Sequence, residues 1–190
     1  MKKRLKVNGI IMGFAGLAIV FFPRFFLRAY SGSIQEEILE ALGFALILSG
    51  QIIRVSARGY KAEHSKNSHA LIEGGPYQIV RNPMYLGIIL IGLGVVLMFF
   101  NWWVVFLFLL IFASRYFPLI FSEEKKLQNA FGEIYDAYCL RVPRIMPRLA
   151  SLISTSVKVY LPIKPAWFKK EINSIIPLLI LILLFFLWRR

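Results

Sequence analysis

The chain is poor in the residues that build cross-links and metal centres. Its single cysteine, Cys139, excludes an internal disulfide and any multi-cysteine zinc site. Its two histidines, His64 and His69, have no cysteine partner, so no metal site is expected. Acidic residues are scarce too: 10 Asp and Glu stand against 23 Lys and Arg, a net charge of +13. No strand precedes any glycine-rich turn, which excludes a soluble dinucleotide-type fold. No internal repeat or low-complexity tract is evident.

Apolar residues fill the space these absences leave. They make up 58% of the chain, with a mean hydropathy of +0.65. They gather in blocks approaching the roughly 20 residues that cross a bilayer's hydrocarbon core. The expected fold is all-α: a polytopic bundle of about five membrane helices with a cytosolic amphipathic helix. "MKKRLK" followed by an apolar run has the order of a signal peptide, but no small-residue cleavage site follows, so residues 7–23 are expected to be an uncleaved first span. The second covers 38–53 and the third starts at Met84. A turn at "NW" leads to the fourth, "WVVFLFLLIFASRYFPLIF", and so short a turn requires an antiparallel hairpin. After Phe121 the chain becomes charged, with Leu127, Phe131, Ile134, Tyr135 and Tyr138 at helical spacing, which predicts one amphipathic helix ended by the prolines of "VPRIMPR". Residues 175–188 form a short fifth apolar segment. The expected division is a helix pair over 1–60, a functional core over 61–148, and a basic linker with a last membrane helix over 149–190.

The basic residues cluster beside the apolar blocks, as orientation signals and contacts to anionic lipid do, so no nucleic-acid partner is expected. The amino terminus, the Arg54–Arg81 loop and the segment after the fourth span all belong in the cytoplasm by the positive-inside rule. That topology brings "GGPYQIVRNPMYLG" (74–87) and "SEE" (122–124) to the same end of one hairpin.

Several residues there are candidates for chemistry. Asn82 before Pro83 predicts a helix start, the Asn side chain capping and proline's missing donor costing nothing at the first position. A helix amino terminus beside Arg81 suits an anion. Tyr77 and Tyr85 offer aromatic faces to an onium centre. Glu123 and Glu124 are either a solvated face neutralised by Lys125 and Lys126, or one of them turns inward. Arg115, inside the fourth span, costs roughly 2.5–3.5 kcal/mol on insertion scales and is expected to face protein or a cavity. It shares a helix face with Leu119 and Glu123. Gly92 and Gly94 suit helix packing in the membrane. Together these residues predict a cytosol-facing pocket for a small zwitterionic or cationic ligand.

"HALIEGGPYQIVRNPMYLG", the hairpin turning at "NWW", then "EE", "FGEIYDAY" and "VPRIMP" resemble the isoprenylcysteine carboxyl methyltransferase family, which belongs with the phospholipid methyltransferases. The resemblance covers about residues 62–147. It implies an integral membrane enzyme using S-adenosyl-L-methionine, with a cofactor pocket at His69, Ala70, Leu71, Ile72, Tyr77, Asn82, Pro83, Met84, Tyr85 and Glu123. It implies a lipid or lipidated small-molecule acceptor, a bilayer environment and no metal. Those enzymes usually have histidine where this chain has Asn82, and "NPMY-x-G" resembles phosphatidylethanolamine methyltransferases. They also have arginine at the position of Leu119, for which Arg115, one turn earlier, is the candidate substitute in orienting substrate. The acceptor therefore stays open between a prenylcysteine-like carboxylate and a lipid amine, and a non-catalytic binding or assembly protein of the same fold is the alternative. The expected location is the plasma membrane of a prokaryote, multi-pass, with the active site facing the cytoplasm.

Overall fold

A computed structural model describes residues 21–29, 31–65, 71–147 and 161–168, with scattered positions between 172 and 183. Nearly all of the expected first and fifth spans, and also His69 and Ala70, lie outside the described residues. The described residues are helical and contain no strand, only an isolated bridge between Leu27 and Phe100. After one helical turn at Pro23–Phe26 come α1 (Ile34–His64), a 3₁₀ turn (Gly75–Gln78), α2 (Pro83–Phe99), α3 (Trp103–Phe131) and α4 (Glu133–Arg141).

Among the described residues, α1 and α3 are long and apolar enough to cross a membrane, and α2 is a shorter apolar helix. Five spans were expected; two such helices and this shorter one are what the described residues contain. The start of α1 is a reciprocal cap: Ser33 Oγ accepts from Glu36 N at 3.4 Å, while Glu36 Oε2 accepts from Ser31 N at 2.9 Å and Gly32 N at 3.1 Å. From there α1 runs well past the expected end at residue 53, straight through residues 60–61 to His64. Arg54, Arg58 and Lys61 therefore sit on a helix and not in a loop. At about 1.5 Å per residue its 31 residues are longer than a bilayer core is thick.

Two glycine pairs let α1 and α2 touch backbone to backbone. A Cβ on Gly50 would lie 2.7 Å from Gly87 O, and one on Gly87 would lie 2.7 Å from Gly50 O. Seven residues along each helix, Gly43 and Gly94 meet in the same reciprocal way. The pairing is antiparallel, and small residues at both crossings make it possible. Gly92 packs against the Phe108 ring, and Tyr85 meets Tyr116 edge-on at 5.6 Å, so α2 and α3 form the antiparallel hairpin expected from the short turn. Asn101 in that turn donates from Nδ2 to Phe25 O at 2.9 Å and to Leu27 O at 3.3 Å, tying it to the segment before α1.

The single amphipathic helix expected after Phe121 is instead divided. α3 continues through Pro118 and the charged "SEEKK" to Phe131, then breaks at Gly132, whose φ of +52° suits glycine. The break resets the helical phase: in α4, Tyr135 and Tyr138 are buried while Ile134 points outward.

Candidate functional site

The site lies where α1 ends, α2 begins and α3 leaves its apolar stretch. Pro83 occupies the first position of α2, and the backbone turns into the helix at Asn82. The expected Asn82 cap is not formed. Its Nδ2 donates instead to Glu124 Oε1 at 2.9 Å and to Arg144 O at 3.2 Å. These two bonds to Nδ2 fix the amide's orientation, its oxygen takes no cap bond, and Asn82 is buried. Met84 N–H, which a capping side chain would take, has no partner among the described residues.

Glu124 is the centre of a buried network. Besides Asn82 it accepts from Arg144 Nε at 2.9 Å and lies 3.8 Å from Arg81 Nε, too long for a hydrogen bond. Arg81 also directs Nη1 to Cys139 Sγ. Backbone bonds fix the same segments: Arg81 N donates to Pro143 O at 2.8 Å and Asn82 N to Arg144 O at 3.1 Å. Of the two adjacent carboxylates, Glu124 turns inward and Glu123 stays exposed.

Two adjoining lobes open beside this network. The outer, about 260 Å³, is lined by Tyr77, Asn82, Pro83, Met84, Tyr85 and Glu123, with Lys126 at its edge. The inner, about 170 Å³, is lined by Leu71, Ile72, Phe131, Tyr135 and Tyr138. Lys61, Tyr77, Arg81, Asn82 and Leu127 belong to both. Together they fall in the size range of small-ligand sites, roughly 300–1,000 Å³. Every described residue proposed for the cofactor lines one lobe or both. Sequence reasoning missed Lys61, Lys126, Leu127 and the network's Arg144; the spacing of Leu127, Phe131, Tyr135 and Tyr138 was the available signal for the inner wall.

Arg115 does not face protein or either lobe; it is exposed. The bundle side of α3 is taken by Phe112, Tyr116 and Ile120, four apart, with Phe112 and Tyr116 stacked at 4.6 Å. Arg115 sits one residue off that row and shares the outward face of Leu119 and Glu123.

Three tyrosines of the site, Tyr77, Tyr135 and Tyr138, have raised phenol pKa values. Burial, and then the charge of Glu123, raise the Tyr77 phenol above its ordinary range. Burial likewise raises Tyr138, whose hydroxyl donates to Tyr77 O at 2.7 Å. Tyr135 is raised by burial and by Glu124. Among the described residues, Tyr135 Oη and Arg81 Nε are buried without hydrogen-bond partners, and both residues line the inner lobe.

A phospholipid methyltransferase (PEMT) family profile matches residues 38–134, from α1 through α3 and into α4. The chain belongs to that family. Its relatives include a protein-S-isoprenylcysteine O-methyltransferase of Schizosaccharomyces pombe, 32% identical over 134 residues, which are 66% of this chain and 55% of the relative. Another is protein-S-isoprenylcysteine O-methyltransferase B of Arabidopsis thaliana, 30% identical over 137 residues, 68% of this chain and 66% of the relative. The chain thus spans 55% and 66% of the lengths of these relatives. No solved structure matches it. Family membership and two helices of spanning length mark a membrane protein.

Proposed function

We propose that the protein is a membrane methyltransferase that binds S-adenosyl-L-methionine in the two-lobed cavity and acts on a lipophilic acceptor. The observation that carries this is the convergence of Leu71, Ile72, Tyr77, Asn82, Pro83, Met84, Tyr85 and Glu123 on one cavity. The residues fit the group. Glu123 suits an ammonium or ribose hydroxyls, the uncapped Met84 N–H suits a carboxylate, and the tyrosine rings suit a sulfonium. When bound, the cofactor supplies an electrophilic methyl on sulfur. The neutral phenols and apolar inner wall exclude water, and the chain's remaining task is to place the acceptor atom close to that methyl.

The exposed face of Arg115 and Leu119 supports an acceptor arriving sideways from the lipid, with Arg115 orienting its anionic end. The named relatives favour a carboxylate acceptor of the prenylcysteine kind. Arg58, Lys61, Lys125, Lys126 and Arg141 crowd the cavity end, which supports a cytoplasmic orientation for it.

Equilibrium binding of S-adenosyl-L-methionine to the purified full chain tests the reading, and no binding at millimolar concentration would sink it. Labelling membranes with methyl-tritiated cofactor, then treating the product with base, identifies the acceptor: volatile methanol marks a carboxyl ester, stable label in lipid an amine.

A further inference from the structure

A second recess shares no lining residue with the two lobes of the cavity. It is a groove of about 290 Å³ between the last apolar turns of α3 and the segment after α4. Buried Ile120 and Ile145 form its floor. Phe117, Phe121 and Met146 form its rims and are 41%, 51% and 78% exposed.

Arg144 stands at the mouth of the groove in a fixed orientation. Its guanidinium lies 4.6 Å over the Phe121 ring, and its Nε is held by Glu124. Neither Nη group has a hydrogen-bond partner among the described residues. The planar fork therefore presents its Nη edge outward, the edge suited to bidentate contact with a phosphate. Glu124 does not cancel this charge, because Arg81 shares the same carboxylate.

We propose that this groove binds one anionic phospholipid of the surrounding bilayer, the phosphate on Arg144 and an acyl chain along Phe117 and Met146. Lipid is the occupant the position selects. Phe106, Leu110 and Ile111 on the same helix are exposed, so the groove opens on the surface a bilayer would wet. Arg144 sits where the apolar stretch of α3 gives way to charge, at headgroup level. A free phosphate would leave the apolar rims uncovered. The proposal rests on membrane embedding but not on methyl transfer.

The test is native mass spectrometry of the full chain released from nanodiscs of equal phosphatidylcholine and phosphatidylglycerol. Wild type is expected to retain one phosphatidylglycerol with about fivefold preference. Arg144→Gln should abolish the preference. Met146→Glu should do so too, because it sets a negative charge at an exposed rim while leaving the Arg144–Glu124 pair intact. Equal retention of the two lipids by wild type overturns the proposal, as does a preference that survives either substitution. Cofactor binding is measured on the same samples. Its absence beside an intact lipid preference would remove the methyltransferase reading and leave the lipid site standing. A chain that stays soluble without detergent or lipid would overturn the embedding itself.

Discussion

Asn82 Nδ2 meets Glu124 Oε1 at 2.9 Å across 42 positions of sequence, and both side chains are buried. The bond joins the start of α2 to α3 and, through Arg144, to the segment after α4. Glu124→Gln removes the charge that both arginines face. Breaking a buried pair costs roughly 3–5 kcal/mol, less where one partner is wet as Arg144 is, so a loss of about 2 kcal/mol is expected. Thermal unfolding in detergent, with exposed Glu133→Gln as the control, measures it; equal melting of the two variants would show the network to be dispensable.

Glu123 should behave differently from its neighbour. Glu123→Gln is expected to weaken cofactor binding at least tenfold with little change in melting, because the carboxylate lines the cavity and is exposed. Lys125→Gln, on the exposed side, should change affinity less than twofold. Similar small effects from both would return Glu123 to an ordinary solvated face.

Arg115→Ala is expected to abolish acceptor turnover while leaving cofactor affinity nearly intact, since the side chain is exposed and lines neither lobe. Calorimetric titration beside a turnover assay separates the two effects. Joint loss of both would assign Arg115 a structural role.

Gly50→Ala places a methyl 2.7 Å from a backbone oxygen that cannot move away as a side chain could. Overpacking of this kind costs about 1–3 kcal/mol. Its signature is a lower melting temperature and weaker cofactor binding, because α1 also carries Lys61 into both lobes. Gly132→Ala faces open space but keeps a strained φ, so it should loosen only the α3–α4 corner. A Gly50→Ala protein as stable as wild type would refute the close contact.

The phenols set a pH window. Tyr77 and Tyr138 have raised folded values, so their contribution is complete below the ordinary tyrosine pKa of about 10 and is lost as pH rises beyond it. Stability should therefore be flat in these groups from about pH 7 to 9 and fall only above about pH 10. Ultraviolet titration of tyrosinate, comparing wild type with Tyr77→Phe, checks this. An inflection near neutrality removed by Tyr77→Phe would contradict it.

Much of this geometry was legible in the sequence because short connections constrain it. With three residues between α2 and α3, "RNPMY" and "SEE" had no alternative to meeting at one end. Pro83 fixed the start of α2 by its missing donor. Other features depend on phase or on distant partners, which a linear pattern does not carry. Which of Glu123 and Glu124 turns inward depends on α3 running unbroken past Pro118. Gly132 resembles an interior glycine until its φ is seen. Asn82 had a good local use as a cap, and a carboxylate 42 positions away instead fixes how its amide is oriented. Arg144 sits in an irregular proline-flanked segment, where no periodicity could have indicated its partner.

The Glu124 network also sets an order of events during synthesis. The α1–α2 and α2–α3 contacts need nothing beyond the residues of those helices, so they are available as each hairpin enters the bilayer. The cavity's rear wall needs Pro143 and Arg144, which reach Arg81, Asn82 and Glu124 only after α4 has left the ribosome. A nascent chain halted before residue 142 would thus hold inserted helices and a Glu124 that still lacks Arg144, a state for quality control to recognise. Completion of the site would coincide with release of the segment that closes it.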